Sequence, residues 1–278
     1  MRLSTWESRR QKFQYIKRTR FSEPAHLPGR RDFCCYADCT MQRLGPEDHL
    51  FVLTGAGVSA ESGLPTFRGA GGIWRGYPAT QVARPEAFHA DPLLVWQFYS
   101  MRRRKHLEVK PNAAHFALAE LERELGDRFF LCTQNVDSLH EQAGSQRVLH
   151  MHGRLMMTRC SNPECSSRPF EDSSDHESEL PKCEVCGAIL RPHVCWFGEV
   201  PYEMDRIFAE LKRSTLLITV GSSGVVEPAA SFVRLARRNG ARTIYIGPEE
   251  PANQVHFDEV VMGKAGEVLP EMVSRIVK

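Results

Sequence analysis

The stretch HLFVLTGAGVSAESG, residues 49–63, decides the fold, because a strand-like apolar run passes directly into a glycine-rich turn. The same transition, from an apolar run to small or polar residues, recurs along the chain. It is found in FFLCTQN (129–135), RVLHMHG (147–153), LLITVGSS (216–223), RTIYIGPE (242–249) and DEVVMGKAG (258–266). Segments with helical periodicity lie between these runs. Strands that alternate with helices predict a parallel sheet covered on both faces, which is an α/β fold.

Three segments have a single apolar helical face, namely residues 112–125, 204–211 and 229–240. The first begins at Asn112, a favourable N-cap residue, and the last ends at Gly240, a typical C-terminal stop. Each therefore predicts an amphipathic helix that packs on the sheet.

Small and hydrogen-bonding residues stand directly after the predicted strands. They are Gly55-Ala56-Gly57, Gln134-Asn135-Val136-Asp137, His152-Gly153, Gly221-Ser222-Ser223 and Gly247. Because ligands bind at the carboxyl ends of strands in open α/β sheets, five such ends predict one shared crevice. The turn 55–63 has the spacing G-x-G-x5-G, which fits either a phosphate cradle or a tight strand–helix turn. The loop 64–72 carries Phe67 and Arg68 among Pro and Gly residues, as expected of a flap over a ligand.

Two close cysteine pairs form a more specific motif. Cys160-x4-Cys165 and Cys183-x2-Cys186 are separated by seventeen residues, a spacing typical of tetrahedral zinc ligation by thiolates. Four thiolates fill the coordination shell, so the pattern predicts a structural ion with no position for a reactive water. The alternatives are unrelated pairs, disulfides or a zinc ribbon for nucleic acid. Metal-ligating thiolates indicate a reducing compartment.

Charge is distributed unevenly along the sequence. The formal net charge of the 278 residues is +2, yet residues 1–31 carry +7 and the remainder −5. This basic tail lacks the apolar core of a secretory signal, and no apolar run reaches the ~18–20 residues of a membrane span. We interpret residues 1–46 as an extension: a solvated basic arm, a mitochondrial transit peptide or a nucleic-acid-binding arm. We assign it no part in the chemistry.

Two histidines compete for the role of general base. His150 and His152 lie at the end of the strand predicted in 147–153, and alternation along a strand puts both on one face. An imidazole is well matched to proton transfer near neutral pH. Spacing alone does not distinguish the two.

Taken together, these motifs resemble those of the sirtuin family. The matching pieces are GAGVSAESGLPTFRG (55–69), TQNVDSLHEQAG (133–144), HMHG (150–153), the four-cysteine module (160–186), RPHVCWFGE (191–199) and GSSGVVEPAA (221–230). They follow the family's order and cover about residues 47–278. Within the family, the chain most resembles the bacterial deacylases and the vertebrate mitochondrial desuccinylase class.

The resemblance implies a Rossmann-type large domain over 47–278, with a small zinc-binding domain inserted at about 154–192. It also implies NAD-dependent removal of acyl groups from protein lysines, yielding nicotinamide, O-acyl-ADP-ribose and free lysine. His152, as general base, and Asn135 would be catalytic. The NAD contacts would be Gly55, Ala56, Gly57, Ser59, Phe67, Arg68, Trp74, Gln134, Asn135, Asp137, Gly221, Ser222, Ser223, Gly247 and Ala265. The acyl-lysine tunnel would include Val194, Trp196 and Phe197, and one zinc ion would be held by Cys160, Cys165, Cys183 and Cys186.

A tyrosine and an arginine bear on the acyl group. Tyr99 and Arg102 share one face of a predicted helix, although the run 102–105 by itself indicates a solvated charged surface. In the desuccinylase-like class, such a Tyr-x-x-Arg pair binds the acyl carboxylate, and small residues such as Ala79 and Ala83 leave room for it. The resemblance therefore implies activity on succinyl- or malonyl-lysine as well as acetyl-lysine.

The sequence also departs from the family pattern. Gly247 stands where relatives often carry Asn, and Cys195 replaces an apolar residue of the tunnel.

Alternative functions are a mono-ADP-ribosyltransferase on the same fold, a non-catalytic NAD- or zinc-dependent binding module, and a DNA-binding protein that uses its basic tail. We expect a monomer that acts on acylated proteins without membrane or specific nucleic-acid partners. Its expected location is the cytoplasm, or the mitochondrial matrix in a eukaryote.

Overall fold

Strands and helices alternate along the described chain, which comprises residues 43–66, 73–74 and 77–277 of this computed structural model. The strands are β1 (Leu50–Thr54), β2 (Ile73–Trp74), β3 (Tyr77–Pro78), β4 (Phe129–Thr133), β5 (Val148–His150), β6 (Gly153–Cys160), β7 (Phe170–Glu171), β8 (Leu190–Val194), β9 (Leu216–Val220), β10 (Arg242–Gly247) and β11 (Glu259–Met262). The α-helices are α1 (Gly57–Ala60), α2 (Ala79–Val82), α3 (Pro85–Ala90), α4 (Pro92–Leu107), α5 (Ala113–Leu125), α6 (Leu139–Gln142), α7 (Met204–Arg213), α8 (Phe232–Arg238) and α9 (Ala265–Val277).

Some predicted features lie outside the described residues. They include the basic tail, Phe67, Arg68 and the side chains of Trp74 and Ala79. The described residues all belong to one compact unit, residues 33–278. None of the helices described has both the length and the apolar character needed to cross a bilayer.

Six strands form one parallel sheet in the order β11-β10-β9-β1-β4-β5. Numbered by their place in the chain, these strands have the 3-2-1-4-5-6 order of doubly wound dinucleotide-binding folds. All five residues of β1 are buried, as expected of a strand covered on both faces. The direction of strand addition reverses between β1 and β9, so the topological switch point lies beside the glycine-rich turn. The predicted parallel α/β sheet is confirmed.

Helices cover both faces of this sheet. On one face, α5 and α9 pack against β1, β4 and β9 through residues such as Leu118, Leu121 and Leu269. On the other face, α7 and α8 pack through Ile207 and Phe232. The predicted apolar faces of these helices are therefore the ones that contact the sheet.

The predicted N-cap of α5 is present. The Asn112 side chain accepts a hydrogen bond from the Ala114 N–H at 3.0 Å, and the His115 side chain reciprocates from the third helical position. The reciprocal pair fixes the start of α5 on the sheet.

A second, antiparallel sheet has the order β7-β6-β8 and carries the four clustered cysteines at its end. It shares an apolar core with α4, in which Tyr99, Trp196, Cys160 and Cys183 are all buried. The four-cysteine module (160–186) and α4, which carries the predicted acyl-binding pair, therefore pack around one shared core.

Gly153 is the first residue of β6 and connects the parallel sheet to the antiparallel sheet. Its φ is +81°, in the left-handed region, and a Cβ at this position would collide with the carbonyl oxygen of His193. Gly240 has a similar φ of +89°, but nothing lies within 4 Å of a Cβ there. The two glycines thus share a backbone conformation that strains other residues, but they differ in the space around them.

We expect Gly153→Ala to lower the free energy of unfolding by about 3 kcal/mol or more, since it adds a backbone collision to left-handed strain. Gly240→Ala carries the strain alone and should cost about 1–2 kcal/mol. Urea unfolding of the two variants beside the wild type measures both effects. Equal losses would show that the collision with His193 does not exist.

Candidate active site

Two turns meet at the switch point of the sheet. The Gly57 N–H donates to the Gly221 carbonyl at 2.9 Å, and a Cβ on Gly57 would lie only 2.6 Å from the Gly221 Cα. A Cβ on Gly55 would lie 2.8 Å from the Ser222 Cα. Glycine is thus required by the approach of the turns after β1 and β9. Helix α1, which follows Ala56, has only four residues.

Three predicted site residues from two different turns share one buried network. Asn135 Nδ2 donates to the Gly55 carbonyl at 3.2 Å and to Ser59 Oγ at 3.1 Å. Ser59 Oγ donates in turn to Asp137 Oδ2 at 3.1 Å. The other oxygen of Asp137 accepts from the Leu139 N–H at 3.2 Å. These bonds fix the amide and the carboxylate at the edge of the crevice.

Two buried histidines, which sequence reasoning missed, support this network. His115 Nδ1 accepts from the Asn112 N–H at 3.2 Å, so its Nε2–H is left for Ser59 Oγ at 3.4 Å. Burial lowers the pKa of His115 to about 4, so the ring is neutral at pH 7. His140 Nε2 lies 3.0 Å from Thr54 Oγ1, and burial also lowers the pKa of His140 well below its ordinary value. His115 is the third residue of α5, where a polar side chain can cap the start of the helix, and this position after Asn112 was the sequence signal for it.

His152 presents an unprotonated ring nitrogen. Its Nδ1 lies 2.9 Å from the Gln134 carbonyl oxygen, which can only accept, so Nδ1 carries the proton. Burial lowers the pKa of His152, while the hydrogen bond to Gln134 acts in the opposite direction. The ring is therefore neutral near pH 7, and Nε2 keeps its lone pair.

His150 is engaged at both nitrogens. Nδ1 lies 3.1 Å from the Asn135 carbonyl and Nε2 lies 2.7 Å from a carboxylate oxygen of Glu141. Burial alone would raise the pKa of Glu141, but the hydrogen bond and charge of His150 bring that pKa below its usual value. The structure thus distinguishes the two histidines that spacing left equivalent.

The turn after β9 also contacts the turn after β4. Gln134 Nε2 donates to Ser222 Oγ at 2.9 Å, which joins the turns of β4 and β9. Ser223 accepts from the Ala252 N–H through its carbonyl at 3.0 Å. The predicted residues Gln134 and Ser222 are thus in direct contact.

Two predicted NAD contacts lie further out. Gly247 ends β10, and a Cβ there would fall on the hydroxyl of Tyr245, which donates to the Glu249 carbonyl at 2.9 Å. A larger residue at position 247 would therefore require the Tyr245 side chain to move. Ala265 is buried at the start of α9. The next N–H, of Gly266, donates to Glu61 Oε1 at 2.9 Å, which ties α9 to the glycine-rich turn.

The predicted acyl-binding pair lies on one face of α4. Tyr99 is fully buried, and its hydroxyl accepts from the indole N–H of Trp196 at 2.9 Å. The guanidinium carbon of Arg102 lies 5.8 Å from the centre of the Tyr99 ring. Burial lowers the pKa of Arg102, while the charge of Asp137 acts in the opposite direction. Arg102 therefore lies within electrostatic reach of the crevice.

The solvated-surface interpretation of residues 102–105 is wrong for Arg103. That residue is 2 % exposed, and its guanidinium donates to the Leu155 carbonyl at 3.0 Å, Thr158 Oγ1 at 2.9 Å and Asp172 Oδ2 at 3.2 Å. A charge run gives no sequence signal for one buried member, because its partners come from distant strands.

The predicted tunnel segment runs beside His152. Val194 and Trp196 are buried and Phe197 is half-buried. The Cys195 N–H donates to the His152 carbonyl at 2.8 Å, and the Phe197 N–H donates to the Ala83 carbonyl at 3.0 Å. The backbone of this segment is therefore fixed to both His152 and the α2–α3 connection.

The four cysteines form one cluster that fits a zinc ion. All four sulfur atoms lie within 4.8 Å of one another, with Cys160 and Cys186 at 3.5 Å and Cys165 and Cys183 at 3.7 Å. Zinc–sulfur bonds of about 2.3 Å in a tetrahedron place sulfurs about 3.8 Å apart. Backbone N–H groups lower the pKa of Cys183 to about 6, whereas burial raises that of Cys160 to about 12. Full ionisation of the four thiols therefore requires a cation.

Comparison with known proteins is consistent with this geometry. The model of the Sir2 family matches residues 55–228. The NAD-dependent protein deacylase 1 of Archaeoglobus fulgidus is 45% identical over 240 residues, which cover 86% of this chain and 97% of that protein.

Two solved structures have the same fold. A Sir2 homologue in complex with NAD is 47% identical, covers 81% of this chain and 88% of its own, and has a TM-score of 0.76. A Sir2 homologue with 2′-O-acetyl ADP ribose is 45% identical, covers 82% and 91%, and also has a TM-score of 0.76. The family match and the extent of these identities show that the chain belongs to the Sir2 family.

Proposed function

We propose that this protein is an NAD-dependent lysine deacylase that removes acetyl and also succinyl or malonyl groups from proteins. The observation that carries the proposal is the geometry of His152, whose Nδ1–H donates to the Gln134 carbonyl and whose Nε2 keeps its lone pair. The Archaeoglobus relative is named an NAD-dependent protein deacylase, and Sir2 homologues bind NAD and acetyl ADP ribose. The reaction consumes NAD, acyl-lysine and one water, and it releases nicotinamide, O-acyl-ADP-ribose and lysine.

The crevice suits a dinucleotide in shape and chemistry. When bound, NAD supplies a ribose carbon whose bond to nicotinamide can break. The close backbone approach at Gly57 and Gly221 leaves no side chain at the switch point, where dinucleotides bind in this topology. Ser59, Asn135 and Asp137 present fixed hydroxyl, amide and carboxylate groups beside it. We assign the ribose and the nicotinamide amide to these groups.

His152 is the general base in this proposal. Its Nε2 takes a proton from a hydroxyl group, and Nδ1 remains bonded to Gln134, so the ring does not turn during the transfer. The Cys195 N–H holds the His152 backbone at 2.8 Å, which places the base next to the tunnel segment. A carbonyl partner at Nδ1 also disfavours the second tautomer, so the basic nitrogen is always Nε2.

The pair on α4 suits an acyl group that ends in a carboxylate. The Tyr99 oxygen accepts from Trp196, and its own O–H has no acceptor among the residues that the structure describes. A buried O–H without an acceptor is costly unless a ligand provides one. Arg102 stands beside it with a positive charge. A carboxylate would accept from the Tyr99 O–H and attract the charge of Arg102, whereas an acetyl methyl group would do neither.

The cysteine cluster would hold one structural zinc ion. The ion would stabilise the β6–β8 sheet, and with it the shared core that contains Tyr99 and Trp196. Thiolate ligation suits a reducing compartment such as the cytoplasm.

We expect one zinc ion per chain in the purified protein. Cys186→Ser, at an exposed ligand, should lose the metal and lower stability by about 2 kcal/mol, roughly 4 °C in Tm. Cys195→Ser changes a cysteine outside the cluster and should retain full zinc content. Elemental analysis and thermal unfolding measure these outcomes. A Cys186→Ser protein with full zinc content would contradict the assignment.

We expect His152→Gln to lower deacylation by about 10²- to 10⁴-fold, the usual contribution of a general base, without loss of NAD binding. His150→Gln should cost much less, since His150 has no free nitrogen. Because burial lowers the pKa of His152, activity should fall only below pH ~6.5, as the ring becomes protonated. Product mass distinguishes deacylation from ADP-ribose transfer to a protein side chain. A fully active His152→Gln variant would exclude this base.

We expect Arg102→Met to lower kcat/KM on a succinyl-lysine peptide by about 10- to 100-fold, the cost of a lost charge-assisted contact. The matched acetyl-lysine peptide should be affected far less, because it carries no carboxylate. Initial rates on the two peptides at saturating NAD measure the difference. Equal losses on both would remove the carboxylate site from the proposal.

A further inference from the structure

Trp196, in the predicted tunnel segment, is buried and makes specific contacts through both its ring and its indole N–H. Its side chain is 2 % exposed and lies between the guanidinium of Arg191, 3.4 Å from the ring centre, and the ring of Phe88 at 5.3 Å. A phenyl ring could make the same stacking contacts. The indole N–H is the feature that only tryptophan supplies here, and it donates to the Tyr99 hydroxyl at 2.9 Å.

This hydrogen bond fixes the direction of the Tyr99 proton. An indole N–H can only donate, so the phenol oxygen must accept on the side that faces Trp196. The Tyr99 O–H must then point away from Trp196. Burial raises the pKa of Tyr99, so the phenol stays protonated at pH 7 and its O–H remains a donor. The guanidinium carbon of Arg102 lies 5.8 Å from the centre of the Tyr99 ring, so a positive charge stands near this donor.

The backbone around Trp196 is also fixed. Its own N–H donates to a carboxylate oxygen of Glu199 at 2.8 Å, and Arg191 donates to the other oxygen at 2.6 Å. The neighbouring N–H groups of Cys195 and Phe197 are bonded to the carbonyls of His152 and Ala83. The indole therefore has a set position relative to the proposed base, and it transmits that position to Tyr99.

We propose that Trp196 is a positioning residue for acyl selectivity: its indole N–H orients the Tyr99 hydroxyl so that the proton faces the carboxylate of a succinyl or malonyl group. The inference rests on the proposed function, since it concerns the same acyl site. Without the indole N–H, the hydroxyl can rotate and present a lone pair to the carboxylate, which repels it. The effect is therefore confined to acyl groups that end in a negative charge.

The test compares KM for matched succinyl- and acetyl-lysine peptides in Trp196→Phe, Tyr99→Phe and the double variant. Phenylalanine keeps an aromatic ring beside Arg191 and Phe88 and removes the indole N–H together with the rest of the pyrrole ring. We expect Trp196→Phe to raise the ratio of the succinyl KM to the acetyl KM by about 3- to 10-fold, the cost of one neutral hydrogen bond. In the Tyr99→Phe background, the same change should have no further effect on the ratio.

Trp96→Phe is the matched control. Trp96 is also fully buried in the same core, and its indole N–H donates to the Leu190 carbonyl at 2.9 Å, away from Tyr99. This variant loses an equivalent hydrogen bond and should leave the KM ratio unchanged. If Trp196→Phe fails to fold, benzothienylalanine at position 196 replaces the N–H by sulfur and keeps the indole shape.

The outcomes separate this inference from the proposed function. An unchanged ratio in Trp196→Phe, or an equal additional effect of that change in the Tyr99→Phe background, overturns the role of Trp196 alone. Failure of the wild-type protein to remove succinyl groups overturns the inference together with the proposed acyl specificity. A raised ratio that disappears in the Tyr99→Phe background supports the inference.

Discussion

The candidate site depends on the close approach of two backbone turns at the switch point. Gly57 and Gly221 each occupy the space that a Cβ on the other would need, and a hydrogen bond of 2.9 Å joins them. Because these turns follow the adjacent central strands β1 and β9, their distance sets the width of the crevice. The contacts of Asn135 with Gly55 and of Gln134 with Ser222 are possible only at this width. The close approach of the turns after β1 and β9 thus positions side chains that lie far apart in sequence.

Side chains at the ends of the parallel strands are polar although they are buried. Thr54 and Thr133 end β1 and β4, and their hydroxyls are joined at 2.8 Å. Thr133 Oγ1 also accepts from the Asn135 N–H at 3.0 Å, where the sheet can no longer supply a partner. Buried polar groups stabilise a fold only when they are fully paired, so this network permits few conformations. The geometry of Asn135 is therefore determined beneath the crevice, before any ligand binds.

The parallel sheet and the cysteine cluster could be predicted from sequence because both are encoded by local patterns. Apolar runs that end in small or polar residues predicted the strands, and pair spacing predicted the clustering of Cys160 and Cys186. The choice between His150 and His152 could not be predicted, since both obey the same alternation. It depends on which carbonyl or carboxylate each ring meets, as Glu141 shows for His150. Burial of Arg103 was missed for the same reason.

The two faces of α4 connect the predicted acyl-binding pair to the four-cysteine module (160–186). Tyr99 contacts Trp196 and Arg102 lies near the Tyr99 ring, whereas Arg103 binds Asp172 in the loop between the second and third clustered cysteines. Burial alone would raise the pKa of Asp172, but hydrogen bonds from Thr158 and His176 and the charge of Arg103 lower it well below its usual range. The loop is thus held to α4 by an ionised, fully bonded carboxylate. Under the proposed function, acyl selectivity therefore depends on how this module packs on α4 as well as on Tyr99 and Arg102.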